Sequence, residues 1–359
     1  MSIYKRLALF GCDFDPNPDI GGIRRKILRF IEKSGRANQE GFYDIIKNDL
    51  TGTESDLSLR LAGKYPCPAW LSSSPDFGQE LYPEMFREYI NKGGCLEYTT
   101  GFGKYVASNA EADELPVSIG VDHCLTGGVI KSLAHRYPDL QVVVFDKHLD
   151  AIPPYIRNDM VGYMREHSEC DGGPPLSYEY YEDAFTGNYD TGSFLSYLLK
   201  DGVLQGRNLM VLGVQDSPSP MLRDIEDERI SRYLEEYAWL EKQGVTIKSL
   251  YSLDRASVRD DMPDIAGKLS GRDVYLSIDI DVLRGKIGSA ARYGGDKGMA
   301  PSRLFKILDW LELRNCNLVG LDLMELDVNS FSAAKLKEHD VYTFVKNIIF
   351  EICKKSGIL

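Results

Sequence analysis

The chain has 359 residues, of which 43% are hydrophobic and 27% are charged, so it is long enough to bury a large core. Its formal net charge of −12 excludes nucleic acid as an expected partner, because an acidic surface repels phosphate backbones. The seven cysteines are scattered without a CxxC pair, so we expect reduced thiols. No stretch resembles a signal peptide or a membrane span, so we expect a cytoplasmic protein without a membrane partner.

Short apolar runs alternate with longer helix-like segments along the chain. Near-continuous apolarity over a few residues is typical of strands that are buried on both faces. Such runs occur at 7–11, 115–120, 141–145, 208–214, 274–278 and 317–324. Helical patterns occur at 127–138, 193–202, 302–313 and 341–355. Strands that alternate with helices predict an α/β fold in three layers, with a central, mostly parallel sheet between two layers of helices.

One segment, residues 151–190, breaks this alternation. It is rich in proline, glycine, tyrosine and acidic residues, a composition that favours loops. Loops of this length in compact domains are usually functional. We therefore expect a single domain over residues 1–359 with a long loop excursion at about 151–190.

Acidic and imidazole side chains follow four of the predicted strands. In chain order, these residues are Asp122 and His123, then Asp146, His148 and Asp150, then Asp279 and Asp281, and finally Glu325. Ligands of open parallel α/β sheets bind at the carboxyl edge of the strands. The sequence therefore predicts that these side chains meet at one edge and form a functional site.

So many carboxylates at one edge would repel each other unless cations were bound between them. Two divalent ions would balance the four negative charges of Asp146, Asp150, Asp279 and Asp281. The imidazoles of the neighbouring motifs would then complete the shells as neutral ligands. An oxygen-rich donor set with a minority of imidazole suits Mn²⁺, with Fe, Co, Ni and Zn as alternatives.

The four motifs together resemble a known family. The order GVDH, DKHLD, SIDID and GLDLMELD is similar to the series GGDH, DAHxD, SxDxD and vDxxE of the ureohydrolases, which include arginases, agmatinases and formiminoglutamases. The likeness spans about residues 5–355 in order and spacing. It implies an arginase-like domain, usually a trimer or hexamer, that hydrolyses a C–N bond of a cationic small guanidino or amidino compound and releases urea and an amine.

The resemblance also implies a role for each motif residue. It gives one manganese ion to His123, Asp146, Asp150 and Asp279, and the other to Asp146, His148, Asp279 and Asp281. A metal-bridging hydroxide would attack the planar carbon of the substrate. Asp150 would orient this hydroxide and assist proton transfer to the leaving amine, and Glu325 would pair with the substrate's cation.

Two departures from the family pattern concern the pocket. Lys147 stands where the family has a small residue, and we interpret it as an ion-pair partner of a neighbouring acid. The segment TGNYDTG at 186–192 replaces SGNxHG, so Asp190 or Thr191 stands in place of the proton-shuttle histidine. Proton transfer to the leaving group would then come from an aspartate or from water.

The same segment suggests contacts with the substrate. Thr186 and Asn188 match the remaining polar positions of SGNxHG, so we expect them to contact the substrate. Two alternative functions remain. A deacetylase of the related fold would use a single zinc ion and a pair of adjacent histidines, whereas this chain has five histidines and no such pair. A non-catalytic metal-binding relative would keep the ligands without turnover.

Overall fold

The computed structural model of the protein describes residues 6–32, 41–51, 58–73, 80–167, 186–255, 258–294, 297–326 and 340–358. Within them, the strands form one eight-stranded sheet in the order β2-β1-β3-β8-β7-β4-β5-β6, and every pairing is parallel. The strands are β1 (Arg6–Cys12), β2 (Ser58–Lys64), β3 (Glu114–Gly120), β4 (Gln141–Phe145), β5 (Leu209–Val214), β6 (Thr246–Ser249), β7 (Asp273–Asp279) and β8 (Asn317–Met324).

Helices cover both faces of this sheet. One face carries α2 (Phe42–Thr51), α9 (Leu250–Asp254), α10 (Val258–Leu269), α11 (Gly285–Gly288), α12 (Pro301–Trp310) and α13 (Asp340–Ser356). The other carries α1 (Ile20–Glu32), α3 (Pro83–Asn91), α4 (Gly94–Asn109), α5 (Cys124–Ala134), α6 (Pro154–His167), α7 (Phe194–Lys200) and α8 (Glu228–Lys242). The predicted three-layer α/β fold with a parallel sheet is therefore confirmed.

The alternation of side chains along each strand builds two separate cores. In β1, Leu7 and Leu9 pack into the core on one face, and Ala8 and Phe10 pack into the core on the other face. Because both faces are covered, both sets of side chains must be apolar. This explains why the central strands were visible in the sequence as continuous apolar runs.

The two outermost strands were not predicted. β2 and β6 lie at the edges of the sheet, and their residues are only partly buried. An edge strand needs no continuous apolar run, because one of its sides faces away from the sheet. The weak apolar signal of β2 and β6 follows from this position.

The region 151–190 also differs from the expected loop over part of its length. Residues 154–167 form α6, which contributes Ile156 to the core beside α7 and α8. Proline in the first helical position is compatible with a helix start, because its missing N–H would have no partner there. Residues 168–185 lie outside the described part of the chain.

No helix in the described residues combines the length and the apolar character that are needed to cross a bilayer.

Candidate metal centre and adjoining clefts

Four neighbouring strands end at the same level and deliver the predicted site residues. The central order of the sheet is β3-β8-β7-β4. Phe145 in β4 pairs with Ile278 in β7, and Asp279 in turn pairs with Met324 in β8. This register brings the residues that follow each strand to one edge, as expected for parallel strands.

His123 is held by a chain of buried hydrogen bonds. Its Nε2 lies 2.9 Å from Ser277 Oγ, and the Ser277 hydroxyl donates to Asp322 Oδ1 at 2.6 Å. Because that hydroxyl proton is committed to Asp322, Nε2 of His123 must be the donor to Ser277. A neutral His123 therefore carries its proton on Nε2 and an unshared electron pair on Nδ1.

This Nδ1 atom faces three carboxylates. It lies 2.9 Å from Asp146 Oδ2, 3.2 Å from Asp150 Oδ2 and 3.2 Å from Asp279 Oδ2. An unshared pair that points at three negatively charged oxygens is unfavourable unless a positive charge lies among them. The donor set of one imidazole nitrogen and three carboxylate oxygens suits a divalent ion.

A second donor group shares Asp146 with the first. His148 Nδ1 lies 3.0 Å from Asp281 Oδ2 and 3.7 Å from Asp146 Oδ1. The ligand atoms of Asp146, His148 and Asp281 lie within 4.8 Å of one another, as do those of His123, Asp146 and Asp279. The structure thus brings all six predicted ligands together in two adjacent groups.

Local backbone geometry aims these side chains. Asp146 Oδ1 accepts a hydrogen bond from the backbone N–H of His148 at 2.7 Å, and Asp279 Oδ1 accepts one from Asp281 at 2.7 Å. Each bond fixes one carboxylate oxygen and leaves the other directed into the site. Asp150 and Glu325 have positive φ angles of 51° and 61°, a conformation that is costly for these residues and that clusters at functional sites.

Several buried polar atoms of the site have no hydrogen-bond partner. They include His123 Nδ1, Asp146 Oδ2, and both Oδ1 and Oδ2 of Asp281. Buried polar atoms are almost always paired, so such a group calls for a specific explanation, such as an ion. All four atoms belong to predicted metal ligands, so the residues present fit a metal centre.

The pKa values of the site follow from burial and from the crowding of like charges. Burial, followed by repulsion from Asp150 and Asp279, raises the pKa of Asp146 well above its ordinary value. Burial and the charge of Asp281 raise the pKa of Asp279 to about 7. These shifts show that the cluster favours added positive charge.

His148 and Asp281 carry opposite charges, and each shifts the pKa of the other. Burial lowers the pKa of His148, but the close contact with Asp281 and the charge of Asp281 outweigh it and raise that pKa to about 10. Burial raises the pKa of Asp281, but His148 outweighs it and lowers the pKa to about 2. A divalent ion would take the place of the proton on His148.

Lys147 adds a fixed positive charge to this edge. Its Nζ lies 3.6 Å from Asp281 Oδ2 and donates a hydrogen bond to the backbone carbonyl of Tyr293. The predicted ion pair between Lys147 and a neighbouring acid is therefore confirmed.

The structure gives Glu325 a different partner from the substrate cation expected for it. The Arg292 guanidinium donates from Nε to Glu325 Oε2 at 2.9 Å and from Nη2 to Oε1 at 2.5 Å. Arg292 also donates from Nη1 to Asp15 and Asp122, each at 2.8 Å. Asp122 is thus an arginine partner rather than a member of either metal-ligand group.

Two connected clefts open onto these groups. The larger, of about 420 Å³, is called the metal cleft; its lining includes His148, Asp150, Asp216, Asp279, Asp281 and Glu325. The smaller, of about 330 Å³, is called the side cleft; its lining includes Asp19, Arg25, Asp122, Thr186, Asp190 and Arg292. Arg157, Val161, Thr191 and Tyr293 line both clefts.

The segment that replaces the family's proton-shuttle motif lies between the two clefts. Asp190 accepts two hydrogen bonds from Arg157 Nη2, at 2.7 and 2.6 Å, and a further one from Thr186. Thr191 Oγ1 donates to Glu325 Oε1 at 3.3 Å. The carboxylate of Asp190 is therefore engaged by Arg157 and Thr186.

Thr186 and Asn188, predicted to contact the substrate, lie in different surroundings. Thr186 is buried in the wall of the side cleft. Asn188 accepts a hydrogen bond from the Tyr197 hydroxyl at 3.0 Å and lies beside Asn91, outside the described lining of either cleft. Its contacts are structural in this arrangement. His167, at the exposed end of α6, is also outside both linings.

Sequence reasoning missed several residues of the site. Ser277 lies two positions before the DID motif and Asp322 lies inside the β8 run, so an alternation of polar and apolar residues in those strands was the available signal. Arg292 and Arg157 lie in segments without a periodic pattern, and no local signal marked them.

Comparison with known proteins places these residues within a matched segment. The sequence model of the arginase family matches residues 96–334, which include all the candidate metal ligands and Glu325. An agmatinase from Bacillus cereus is 26% identical over 224 residues, which are 62% of this chain and 59% of that protein. The alignment thus spans about three fifths of the length of this relative.

Solved structures agree in fold. The proclavaminate amidino hydrolase from Streptomyces clavuligerus has a TM-score of 0.58 and 14% identity, over 99% of this chain and 92% of that chain. An arginase from Bacillus subtilis has a TM-score of 0.57 and 12% identity, over 97% of this chain and 98% of that chain. At this level of identity, the similarity concerns the α/β fold.

Proposed function

This chain belongs to the arginase family, and from that premise we propose that it is a metal-dependent hydrolase that cleaves a C–N bond of a guanidino or amidino compound. The observation that carries the proposal is the convergence of six candidate ligand side chains, three of which, His123, Asp146 and Asp281, have buried polar atoms without a hydrogen-bond partner. The similarity to an agmatinase supports a substrate of the guanidino or amidino class.

We assign the metal ligands to the residues that the two donor groups bring together. One ion would be held by His123, Asp146, Asp150 and Asp279, and the other by Asp146, His148, Asp279 and Asp281. When bound, two divalent ions, which we expect to be Mn²⁺, would supply a water activated for attack on the planar carbon.

Side chains of the protein would then transfer the protons of the reaction. Asp150 lines the metal cleft with a carboxylate oxygen 3.2 Å from His123 Nδ1, so it lies close to both the ligands and the substrate space. We assign Asp150 the role of accepting the proton of the attacking water and passing it to the departing nitrogen. Asp190 is less suited to this role because its carboxylate is engaged by Arg157 and it is absent from the described lining of the metal cleft.

The products would be an amine together with urea from a guanidino group, or with an amide from a simpler amidino group. We also propose that the chain forms a homo-oligomer, a trimer or hexamer, by analogy with its family. Light scattering of the purified protein tests this expectation directly.

A product assay with a matched pair of variants tests the hydrolase. Mn²⁺-loaded protein is incubated with a panel of guanidino and amidino compounds, including arginine-containing peptides, and the products are identified by mass spectrometry. Asp281→Ala should bind less metal and lose turnover by about a hundredfold or more, because both oxygens of Asp281 serve the centre. Asp273→Ala is the control, because Asp273 begins the same strand at the opposite edge of the sheet.

The control should keep wild-type metal content and turnover. Equal metal content and turnover in Asp281→Ala and the wild type would contradict the site assignment. Two bound metals without turnover across the whole panel would instead indicate a non-catalytic metal-binding relative.

A further inference from the structure

A buried guanidinium lies directly behind the metal cleft. Arg292 is surrounded by the carboxylates of Asp15, Asp122 and Glu325, which we call the carboxylate cage. Arg292 and all three cage residues are at least nine-tenths buried. Burial lowers the pKa of Arg292, but Glu325 and Asp122 outweigh it and raise that pKa well above its ordinary value, so the arginine is charged.

The hydrogen bonds of Glu325 leave little room for a second cation. Oε1 accepts from Arg292 Nη2 at 2.5 Å, from the His123 backbone N–H at 3.1 Å and from Thr191 Oγ1 at 3.3 Å. A carboxylate oxygen offers about two acceptor positions, so Oε1 is filled. Oε2 accepts only from Arg292 Nε among the described hydrogen bonds and keeps one position.

A guanidinium binds a carboxylate best through two parallel N–H bonds, one to each oxygen. Glu325 already makes that forked pair with Arg292, so it cannot make a second one with a substrate. Repulsion from the charge of Arg292 acts on guanidinium and amidinium substrates alike, so the occupied forked pair is what distinguishes them. Lys26, 3.1 Å from Asp15 Oδ2, adds another positive charge to the cage.

We propose that Arg292 is a specificity-determining residue that fills the carboxylate cage as an internal guanidinium, so that the metal cleft selects against guanidino substrates. This inference rests on the proposed hydrolase function and narrows its substrate. The favoured class is an amidino compound whose reacting group carries a single terminal nitrogen. Its one terminal nitrogen can donate to a single acceptor, which the remaining position on Glu325 Oε2 supplies, whereas the two terminal nitrogens of a guanidino group present a forked donor pair that Glu325 cannot accept.

Removal of Arg292 should convert the cage into a binding site for free guanidinium. Arg292→Ala leaves a guanidinium-shaped space, and the side cleft gives access to it because Arg292 forms part of its wall. In millimolar guanidinium chloride, compared with equal sodium chloride, the Tm of this variant should rise by about 2 °C or more through binding to the folded state. The wild-type Tm should not rise. Absence of a rise in folded Arg292→Ala would overturn the proposal.

Two further variants test whether the effect belongs to the cage. Arg292→Ala combined with Glu325→Gln lacks the forked acceptor and should lose most of the rise. Arg60→Ala removes another arginine that makes a forked pair, here with Glu114, but the Arg60 side chain is 34% exposed and lies away from both clefts. A rise in Arg60→Ala equal to that in Arg292→Ala would overturn the cage as the cause.

The wild-type protein keeps the proposal testable if Arg292→Ala does not fold. Guanidinium should not stabilise the wild type, because Arg292 already occupies the cage. Stabilisation of the wild type that is lost in Glu325→Gln would show that Glu325 accepts a second guanidinium, and the proposal would fail.

Substrate preference supplies the second readout. The wild-type ratio of kcat/KM should favour amidines with one terminal nitrogen over matched guanidino compounds by roughly tenfold or more, and Arg292→Ala should shift this ratio towards guanidino compounds. A wild-type preference for guanidino compounds would contradict the proposal. If no compound is hydrolysed, the proposed function fails, while guanidinium binding by Arg292→Ala still decides the role of Arg292.

Discussion

Ser277 links the predicted metal ligand His123 to a buried acid. It lies two positions before the DID motif, accepts from His123 Nε2 and donates to Asp322, which also accepts from Thr126 and Tyr275. Such partners behind a ligand fix its tautomer and orientation. Ser277 and Asp322, which are not candidate ligands themselves, therefore determine which ring nitrogen of His123 is free to bind a metal.

Ser277→Ala should weaken metal binding by about 10- to 100-fold, because the His123 ring loses the partner that holds Nε2–H. The measurement is a competition titration against a chelator of known affinity. We also expect the free energy of unfolding to fall by about 1–3 kcal/mol, since His123 Nε2 and Asp322 Oδ1 lose a buried partner.

Thr126→Val separates the two effects. Thr126 Oγ1 donates to Asp322 Oδ2 at 2.7 Å, and the described hydrogen bond between Thr126 and His123 joins their backbones, which the substitution keeps. This variant should lose stability and keep its metal affinity. Equal metal affinity in Ser277→Ala and Thr126→Val would argue against control of the tautomer by Ser277.

At the scale of elements, His123 directly precedes α5. The position of α5 in turn depends on its close approach to α4. A Cβ added to Gly128 in α5 would lie 1.8 Å from the carbonyl oxygen of Thr99 in α4. A Cβ added to Gly103 in α4 would lie 1.9 Å from the Gly128 carbonyl oxygen. The two helices can therefore touch only because both positions lack a side chain.

Gly128→Ala should reduce the free energy of unfolding by about 1–3 kcal/mol or more, because backbone atoms must move apart. Urea denaturation followed by circular dichroism measures this change. The matched control is Gly267→Ala in α10, where an added Cβ meets no atom within 4 Å.

The control should raise stability by about 0.4–1 kcal/mol, since alanine lowers the conformational freedom of the unfolded chain. A loss of stability in Gly267→Ala similar to that in Gly128→Ala would contradict the close contact between α4 and α5 as the cause of the Gly128→Ala effect.

At the scale of the whole molecule, the metal centre concentrates part of a net charge of −12 at one sheet edge. Without metal, the carboxyl group of Asp279 has a pKa of about 7, above its ordinary value, because burial and Asp281 disfavour its ionised form. An acid whose pKa is higher in the folded state than in the unfolded state destabilises the fold as pH rises between those two values.

The chelated protein should therefore lose stability between pH 5 and pH 8. Over this range Asp279 ionises in the folded state, and the stabilising protonation of His148, whose pKa is raised to about 10, begins to weaken above its ordinary pKa. Metal-loaded protein should resist this loss, so the Tm difference between loaded and chelated samples should grow with pH.

Scanning calorimetry of both samples across this pH range gives the measurement. Asp281→Ala serves as the comparison, because removal of one like charge should flatten the pH dependence of the chelated sample. A Tm difference that is constant with pH would contradict the charge-crowding account of the site.

The central sheet and the convergence of the candidate metal ligands could be predicted from the sequence. Residues 142–145 are continuously apolar because β4 is buried on both faces, and Asp146 follows directly. Parallel strands end at a common edge, so residues after four apolar runs must converge. These features could be predicted because the burial and the end of a strand depend on residues that are adjacent in the sequence.

The partner of Glu325 was decided only by the tertiary structure. Arg292 lies 170 positions from Asp122 and 277 positions from Asp15, so no local pattern connects them. The motif residue was predicted to hold a substrate cation, yet folding places an internal cation against it. Charges so distant in sequence find each other through chain topology, which is why the ligands could be predicted from sequence and the occupant of the carboxylate cage could not.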